Sequence, residues 1–322
     1  MSWTPLHRAG PGGPDGRDAA PPMLILPRTA DIGGFEVRRA LPSPQRQMVG
    51  PFIFFDQFGP AEFVTGAGLD VRPHPHIGLG TVTYLHEGSF EHRDSLGTRQ
   101  TIRPGEVNWM VAGRGVTHSE RTGPEERGRP STLTGIQTWM ALPADAEDMA
   151  PVFEHHGRAD LPLIEDKGVT ARLILGHAFG SESPVTMLSE AFYLDVTLAP
   201  GAAVPLPDDH EDRGIHVLEG EISVAGDRFE SGRMMVFRPG DRIGVTAGPR
   251  GARIMMLGGA TLNETRYIWW NFVSSSKERI AQARADWTAA DWDNGPFRLP
   301  PGDDAEHVPI DPWLRNTRPK EW

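Results

Sequence analysis

No cysteine occurs anywhere in the chain. That excludes a disulfide framework, a thiolate metal site and a cysteine nucleophile, so any metal must be held by imidazole and oxygen. It also fits a reducing compartment, and the cytoplasm is the expected location. No run of about 18 apolar residues occurs either, so no membrane-spanning helix and no membrane partner are expected. Positive charge is short: 32 Lys and Arg stand against 43 Asp and Glu, a formal net charge of -11. Direct nucleic-acid binding, which is built from clustered Lys and Arg, is not expected. Residues 1–22 are rich in Gly, Pro, Asp and Arg and lack the apolar stretch of a signal peptide. They read as a disordered leader outside the fold.

What the chain has in quantity is turn residues, with 37 Gly and 30 Pro among 322 residues. Spread along the sequence, they punctuate many short strands. From Leu24 to Leu142 the text is a meander with no convincing helix: Ile53-Phe54-Phe55, then Gly80 to Leu85 before Glu87-Gly88, then Thr101 to Arg103 before Pro104-Gly105, then Val107 to Val111. A second block, Leu188 to Leu262, echoes it. Leu85-His86-Glu87-Gly88 resembles Leu218-Glu219-Gly220, and Ile102 to Glu106 resembles Phe237 to Asp241. In both, an Ala-Gly pair ends eight positions after the Pro-Gly glycine, at Gly113 and Gly248. Such an echo predicts a duplicated barrel. The expected organisation is all-β: one barrel over residues 23–147, a second over 148–262, and a tail over 263–322. Within the tail a helix is predicted at about 274–287, capped by Ser274 or Ser275, with Ile280, Ala283 and Trp287 on its buried face.

The residues with chemistry lie in the first barrel. In extended chain, residues i and i+2 share a face. His74 and His76, separated by Pro75, can therefore aim two imidazoles inward from one strand, and His118 and Glu120 can do the same from another. Pro75 favours extended backbone at His74. Three imidazoles and a carboxylate suit a divalent first-row metal and leave open positions on an octahedral ion. Zinc prefers four-coordinate closure; manganese, nickel, cobalt and copper could use the same donors. In the second block the aligned positions are about Leu206 and Asp208, then Arg253 and Met255, so one metal per chain is expected.

Three strings carry a resemblance: His74-Pro75-His76-Ile77-Gly78, Pro104-Gly105-Glu106-Val107-Asn108-Trp109-Met110, and Ala112-Gly113-Arg114-Gly115-Val116-Thr117-His118-Ser119-Glu120. Together they resemble the pirins, a branch of the cupin superfamily, over roughly Leu24 to Tyr267. The resemblance implies two tandem cupin (jelly-roll) barrels with a C-terminal helix packed on them. It implies Fe(II) in the first barrel, held by His74, His76, His118 and Glu120. It places Asp56 and Gln137 in the substrate pocket. It implies a quercetin 2,3-dioxygenase-like activity in some members, on a small aromatic enol or catechol with O2 and with Glu120 as a catalytic proton acceptor. In others it implies a non-catalytic, iron-dependent redox sensor that binds a protein partner. Three other features have plainer readings. His92, between Glu91 and Asp94, reads as a solvated turn. The acidic run Asp208 to Asp212, with His210, reads as a solvated loop. Trp269, Trp270, Trp287 and Trp292 read as packing residues.

Overall fold

The computed structural model describes residues 21–31, 36–312, 314 and 317–321. The expected disordered leader thus lies almost entirely outside the described residues. Strands run Met23–Ile25 (β1), Arg28–Asp31 (β2), Glu36–Leu41 (β3), Phe52–Phe63 (β4), Asp70–His76 (β5), Leu79–Glu87 (β6), Phe90–Asp94 (β7), Arg99–Ile102 (β8), Val107–Val111 (β9), Val116–Arg121 (β10), Ser131–Ala141 (β11) and Val152–His156 (β12). They continue as Leu163–Asp166 (β13), Val169–Ala178 (β14), Ser181–Glu182 (β15), Ala191–Leu198 (β16), Ala203–Pro205 (β17), Asp212–Val224 (β18), Asp227–Glu230 (β19), Met234–Phe237 (β20), Gly244–Gly259 (β21), Tyr267–Trp269 (β22), Phe272–Ser274 (β23) and Lys320–Glu321 (β24). Among the described residues the α-helices are a single turn, Pro124–Arg127 (α1), and Lys277–Ala289 (α2), with a 3-10 turn at Ala144–Ala146.

Two compact units result, and they are not consecutive along the chain. Among the described residues, one comprises 29–31, 36–39, 53–158 and those of 262–321; the other takes 21–28, 40–52 and 159–261. The expected segments followed chain order, but two strands cross it. β1 pairs antiparallel with β20, Met23 opposite Val236. β12, beyond residue 147, pairs with β9, Val152 opposite Val111. Strand edges are satisfied by whichever backbone lies beside them, regardless of sequence distance.

The first unit holds two main sheets. One has the order β12-β9-β6-β11-β4-β3-β2 and the other β5-β10-β7-β8. Period-two alternation points one face of each strand inward. Val37, Phe58, Leu85, Phe90, Ile102 and Leu133 gather there as an apolar plug. The second unit is built on a ten-stranded sheet. Its interior is continuous hydrocarbon, including Leu173, Phe192, Val217, Ile254 and Met256.

The tail folds onto the first unit. Helix α2 starts at Ser276, whose hydroxyl accepts the Arg279 N–H at 3.2 Å. The cap therefore falls one residue after the expected Ser275, because Ser274 and Ser275 are engaged elsewhere. Both hydroxyls and the Ser275 N–H donate to the Glu147 carboxylate at 2.8–3.0 Å. Glu147 also forms an ion pair at 3.2 Å with Arg266, a fully buried guanidinium that donates to the Leu142 carbonyl. Ile280, Ala283 and Trp287 form the buried face of α2, as expected. They pack with Trp269, Phe272 and Phe297. Beyond the helix, the segment 302–308 lies along β5 and β10. Asp303 accepts from Ser119 and Arg121, Arg93 donates to the Gly302 carbonyl, and the Val308 N–H donates to the Pro73 carbonyl.

Candidate metal centre

Strands β5 and β10 are direct neighbours, with His118 opposite His74 and Val116 opposite His76. On the other side β10 pairs without interruption with β7, setting Glu120 opposite His92 and His118 opposite Asp94. The register with β5 slips between His118 and Glu120, so that Glu120 faces Val71. The extra residue therefore sits in β5, a bulge that includes Pro73, which has no N–H to give the ladder. Immediately after His76 the chain turns through Gly78 at φ +66°, where an added Cβ would stand 2.0 Å from the Val273 carbonyl oxygen. Only glycine fits that close approach in the left-handed region.

His74, His76 and His118 are buried, and each places a ring nitrogen within 4.8 Å of the other two. His74 donates through Nδ1 to the Arg72 carbonyl at 2.9 Å, and His76 donates through Nδ1 to the Asn271 carbonyl at 3.2 Å. Those bonds fix the tautomer and leave Nε2 of each ring bare. Nε2 of His76 and Nε2 of His118 approach to 3.1 Å. Two imidazole nitrogens, each about 2.1 Å from one shared ion and at right angles, would stand about 3.0 Å apart. The residues present therefore fit a metal ion.

Electrostatics point the same way. Burial lowers the pKa of His74 to about 4, against a smaller opposing effect of the Arg72 carbonyl. Burial and neighbouring rings hold His76 and His118 well below the usual imidazole range. All three are therefore neutral at pH 7, the form that ligates. Glu120 is half-buried by surface area, yet burial pushes its carboxyl up to about 7. Its carboxylate does not share the mutual spacing of the three imidazoles.

An aromatic pair stands beside His76. Trp139 meets His76 edge-on at 5.1 Å and stacks on Phe54 at 4.0 Å. Asp56 and Gln137 lie two residues from Phe54 and Trp139 on β4 and β11, hence on the same sheet face. Asp56 takes a bidentate ion pair from Arg39 at 2.8 and 2.6 Å, and Gln137 accepts from Thr83 at 2.9 Å.

One residue of this neighbourhood is not where the sequence reading put it. His92 is no solvated turn: it is 3% exposed and inward-facing on β7. Its Nδ1 lies 3.3 Å from Nδ1 of His118, its Nε2 lies 3.1 Å from the Asp94 carboxylate, and it stacks on Phe153. The signal was present as alternation: Phe90, His92 and Asp94 point in while Glu91 and Arg93 point out.

Among the described residues the second unit offers one further group, His177, Glu190 and His210. Here both ring nitrogens of His210 already face oxygen acceptors, Glu190 at 2.5 Å and the His177 carbonyl at 3.0 Å. Ligation would cost at least one of these bonds. The acidic loop beside it is only partly solvated, because buried Asp212 accepts from Arg46 and from the Gly50 N–H. Of the positions aligned with the first barrel's ligands, Arg253 pairs with Asp195 and Met255 is buried.

Comparison with known proteins agrees with this architecture. The Pirin family profile matches residues 34–140, and that of the Pirin C-terminal cupin domain matches residues 193–293. A pirin-like protein of Caulobacter vibrioides is 47% identical over 292 residues, covering 89% of this chain and 98% of its own. Human pirin is 31% identical over 277 residues, covering 83% and 92%. A crystal structure of quercetin 2,3-dioxygenase from Acinetobacter baumannii superposes with a TM-score of 0.84 at 32% identity, covering 93% and 98%. Among the described residues no helix is long and apolar enough to cross a membrane. With both cupin barrels, three converging imidazoles in the first and sequence identity running along most of the chain, this protein belongs to the pirin family.

Proposed function

We propose that this chain is a metal-dependent dioxygenase that opens the ring of a flavonol, or of a related enol or catechol, with Fe(II) and O2. The observation that carries the reading is the set of buried, neutral imidazoles with two Nδ1 atoms tied to backbone carbonyls. Its support in kind is the likeness to the Acinetobacter baumannii enzyme. His74, His76 and His118 would hold the ion, with Glu120 as the fourth donor.

A divalent ion held there supplies Lewis-acid stabilisation to a deprotonated substrate oxygen. The chain's own residues do the rest. Glu120, two residues from His118 on β10, is the carboxylate that would accept a hydroxyl proton from an enol once it loosens from the ion. Trp139 and Phe54 give a flat apolar wall on which an aromatic ring can lie. Asp56, held by Arg39, and Gln137 present polar groups on that same face to orient ring hydroxyls.

The test is oxygen uptake and carbon monoxide release with quercetin, using anaerobically iron-loaded protein. Turnover is expected in the parent, and its loss together with bound iron in His76→Ala. An iron-replete parent that consumes no oxygen across a panel of flavonols and catechols would overturn the dioxygenase reading.

A further inference from the structure

The hydrogen bonds around His118 run outward in one line: His118 Nδ1 to His92 Nδ1 at 3.3 Å, then His92 Nε2 to Asp94 at 3.1 Å. Asp94 is completely buried. Its Oδ1 accepts two backbone N–H groups, from Leu96 at 2.9 Å and Thr98 at 3.0 Å. The carboxylate is thus pinned in orientation, with Oδ2 aimed at His92. The stack on Phe153, at 4.6 Å and 23° between planes, holds the His92 ring.

We infer that Asp94 and His92 are positioning residues that set the tautomer of His118 and so keep its Nε2 bare for the metal. The inference rests on the reading that the three imidazoles bind a metal, not on the identity of the substrate. The Asp94 carboxylate accepts, so a His92 ring with a single N–H carries it on Nε2. Nδ1 of His92 is then an acceptor, and His118 must donate to it from Nδ1. That leaves Nε2 of His118 as a lone pair facing Nε2 of His76 at 3.1 Å. His74 and His76 have backbone carbonyls to fix their tautomers. His118 has a relay of side chains instead, and its polarity is decided two residues away from the ligand, at Asp94.

An isosteric change reverses the line. In Asp94→Asn the oxygen stays with Leu96 and Thr98, because both are donors. The amide NH2 then faces His92. His92 must accept on Nε2 and donate from Nδ1; His118 must accept on Nδ1 and carry its proton on Nε2. The number of protons is unchanged, but the ligand lone pair is blocked.

The experiment is Co(II) titration of the full chain against a competing chelator, read by the visible absorption of the bound ion. Loss of an outer hydrogen-bond partner typically costs 10–100-fold in metal affinity. Asp94→Asn is expected at the upper end, about 100-fold weaker. His92→Phe keeps the stack on Phe153 and removes the relay, with an expected loss of about 10-fold. The double variant is expected to bind more tightly than Asp94→Asn alone, because without His92 nothing forces the wrong tautomer. General destabilisation would instead add the two losses. In the metal-free protein, 15N shifts of His118 should report Nδ1–H in the parent and Nε2–H in Asp94→Asn. A parent that binds no Co(II) would sink the metal reading itself. A parent that binds, with Asp94→Asn within twofold of it, or a double variant no tighter than Asp94→Asn, overturns the tautomer relay alone. If Asp94→Asn does not fold, His92→Phe decides: parent-like affinity refutes the relay.

Discussion

Replacing Glu147 by Gln tests how the tail is fastened to the metal-bearing unit. The carboxylate receives three groups from Ser274 and Ser275 and sits 3.2 Å from the Arg266 guanidinium, which has no solvent exposure. Removing one partner of a buried ion pair costs about 3–5 kcal/mol, because the other charge stays behind unpaired. Two circumstances lower that figure. Arg266 keeps Glu264 at 3.1 Å, though that residue is 60% exposed and well screened, and it keeps the Leu142 carbonyl. The glutamine oxygen can still accept from the Ser275 N–H. A loss of about 2–3 kcal/mol remains, less than a full break. Urea unfolding followed by tryptophan fluorescence should show a lower midpoint with an unchanged slope. Adding Arg266→Met, which removes the stranded charge and fills its volume, should recover part of the loss. A Glu147→Gln midpoint equivalent to within about 0.5 kcal/mol of the parent, the range of ordinary surface changes, would show that this ion pair does not fasten the tail.

Three further outcomes follow from the geometry. Gly78→Ala should destabilise by more than about 1 kcal/mol and weaken metal uptake, since the Cβ would meet the Val273 carbonyl and displace the strand that carries His76; parent-like unfolding and binding would contradict the close approach. Trp287→Ala, which empties a buried indole site beside Phe297 and Trp270, should cost about 3–5 kcal/mol in the same unfolding assay. At Asp303 burial alone would raise the pKa, but hydrogen bonds from Arg121 and Ser119 outweigh it and hold the carboxyl below its usual 3.8. A folded pKa below the unfolded one gives stability that is present above the unfolded value and is lost as pH falls through the folded value. Amide protection of residues 302–308 should therefore hold down to about pH 4 and collapse only in stronger acid, whereas Asp303→Asn should be weakly protected throughout.

Much of this was legible in the chain because its signals are local. The His74, His76 pair, the Pro-Gly turns that repeat in the second block and the Ile280, Ala283, Trp287 face need only neighbouring residues to be read. What was not legible depends on partners far away. Nothing in Met23-Leu24-Ile25 names Met234-Met235-Val236 as its mate. Ser274 and Ser275 look like helix caps until Glu147 claims them. His92 alternates inward with Phe90 and Asp94, but polar residues at inward positions read as solvated unless the acceptor that satisfies them is known. Polar burial is decided by tertiary hydrogen bonding, which a period-two pattern does not encode.

The carbonyl that orients His76 belongs to Asn271, 195 residues further along the chain, and the clamp across Ser119 and Arg121 comes later still, from Asp303. A nascent chain that has just released His118 from the ribosome thus carries the imidazoles, the Arg72 carbonyl and the Asp94–His92 pair, but not the group that aims His76. Orientation of the full set of imidazoles therefore waits for synthesis to pass Asn271, and a ribosome stalled before it would display His76 with its tautomer still unset.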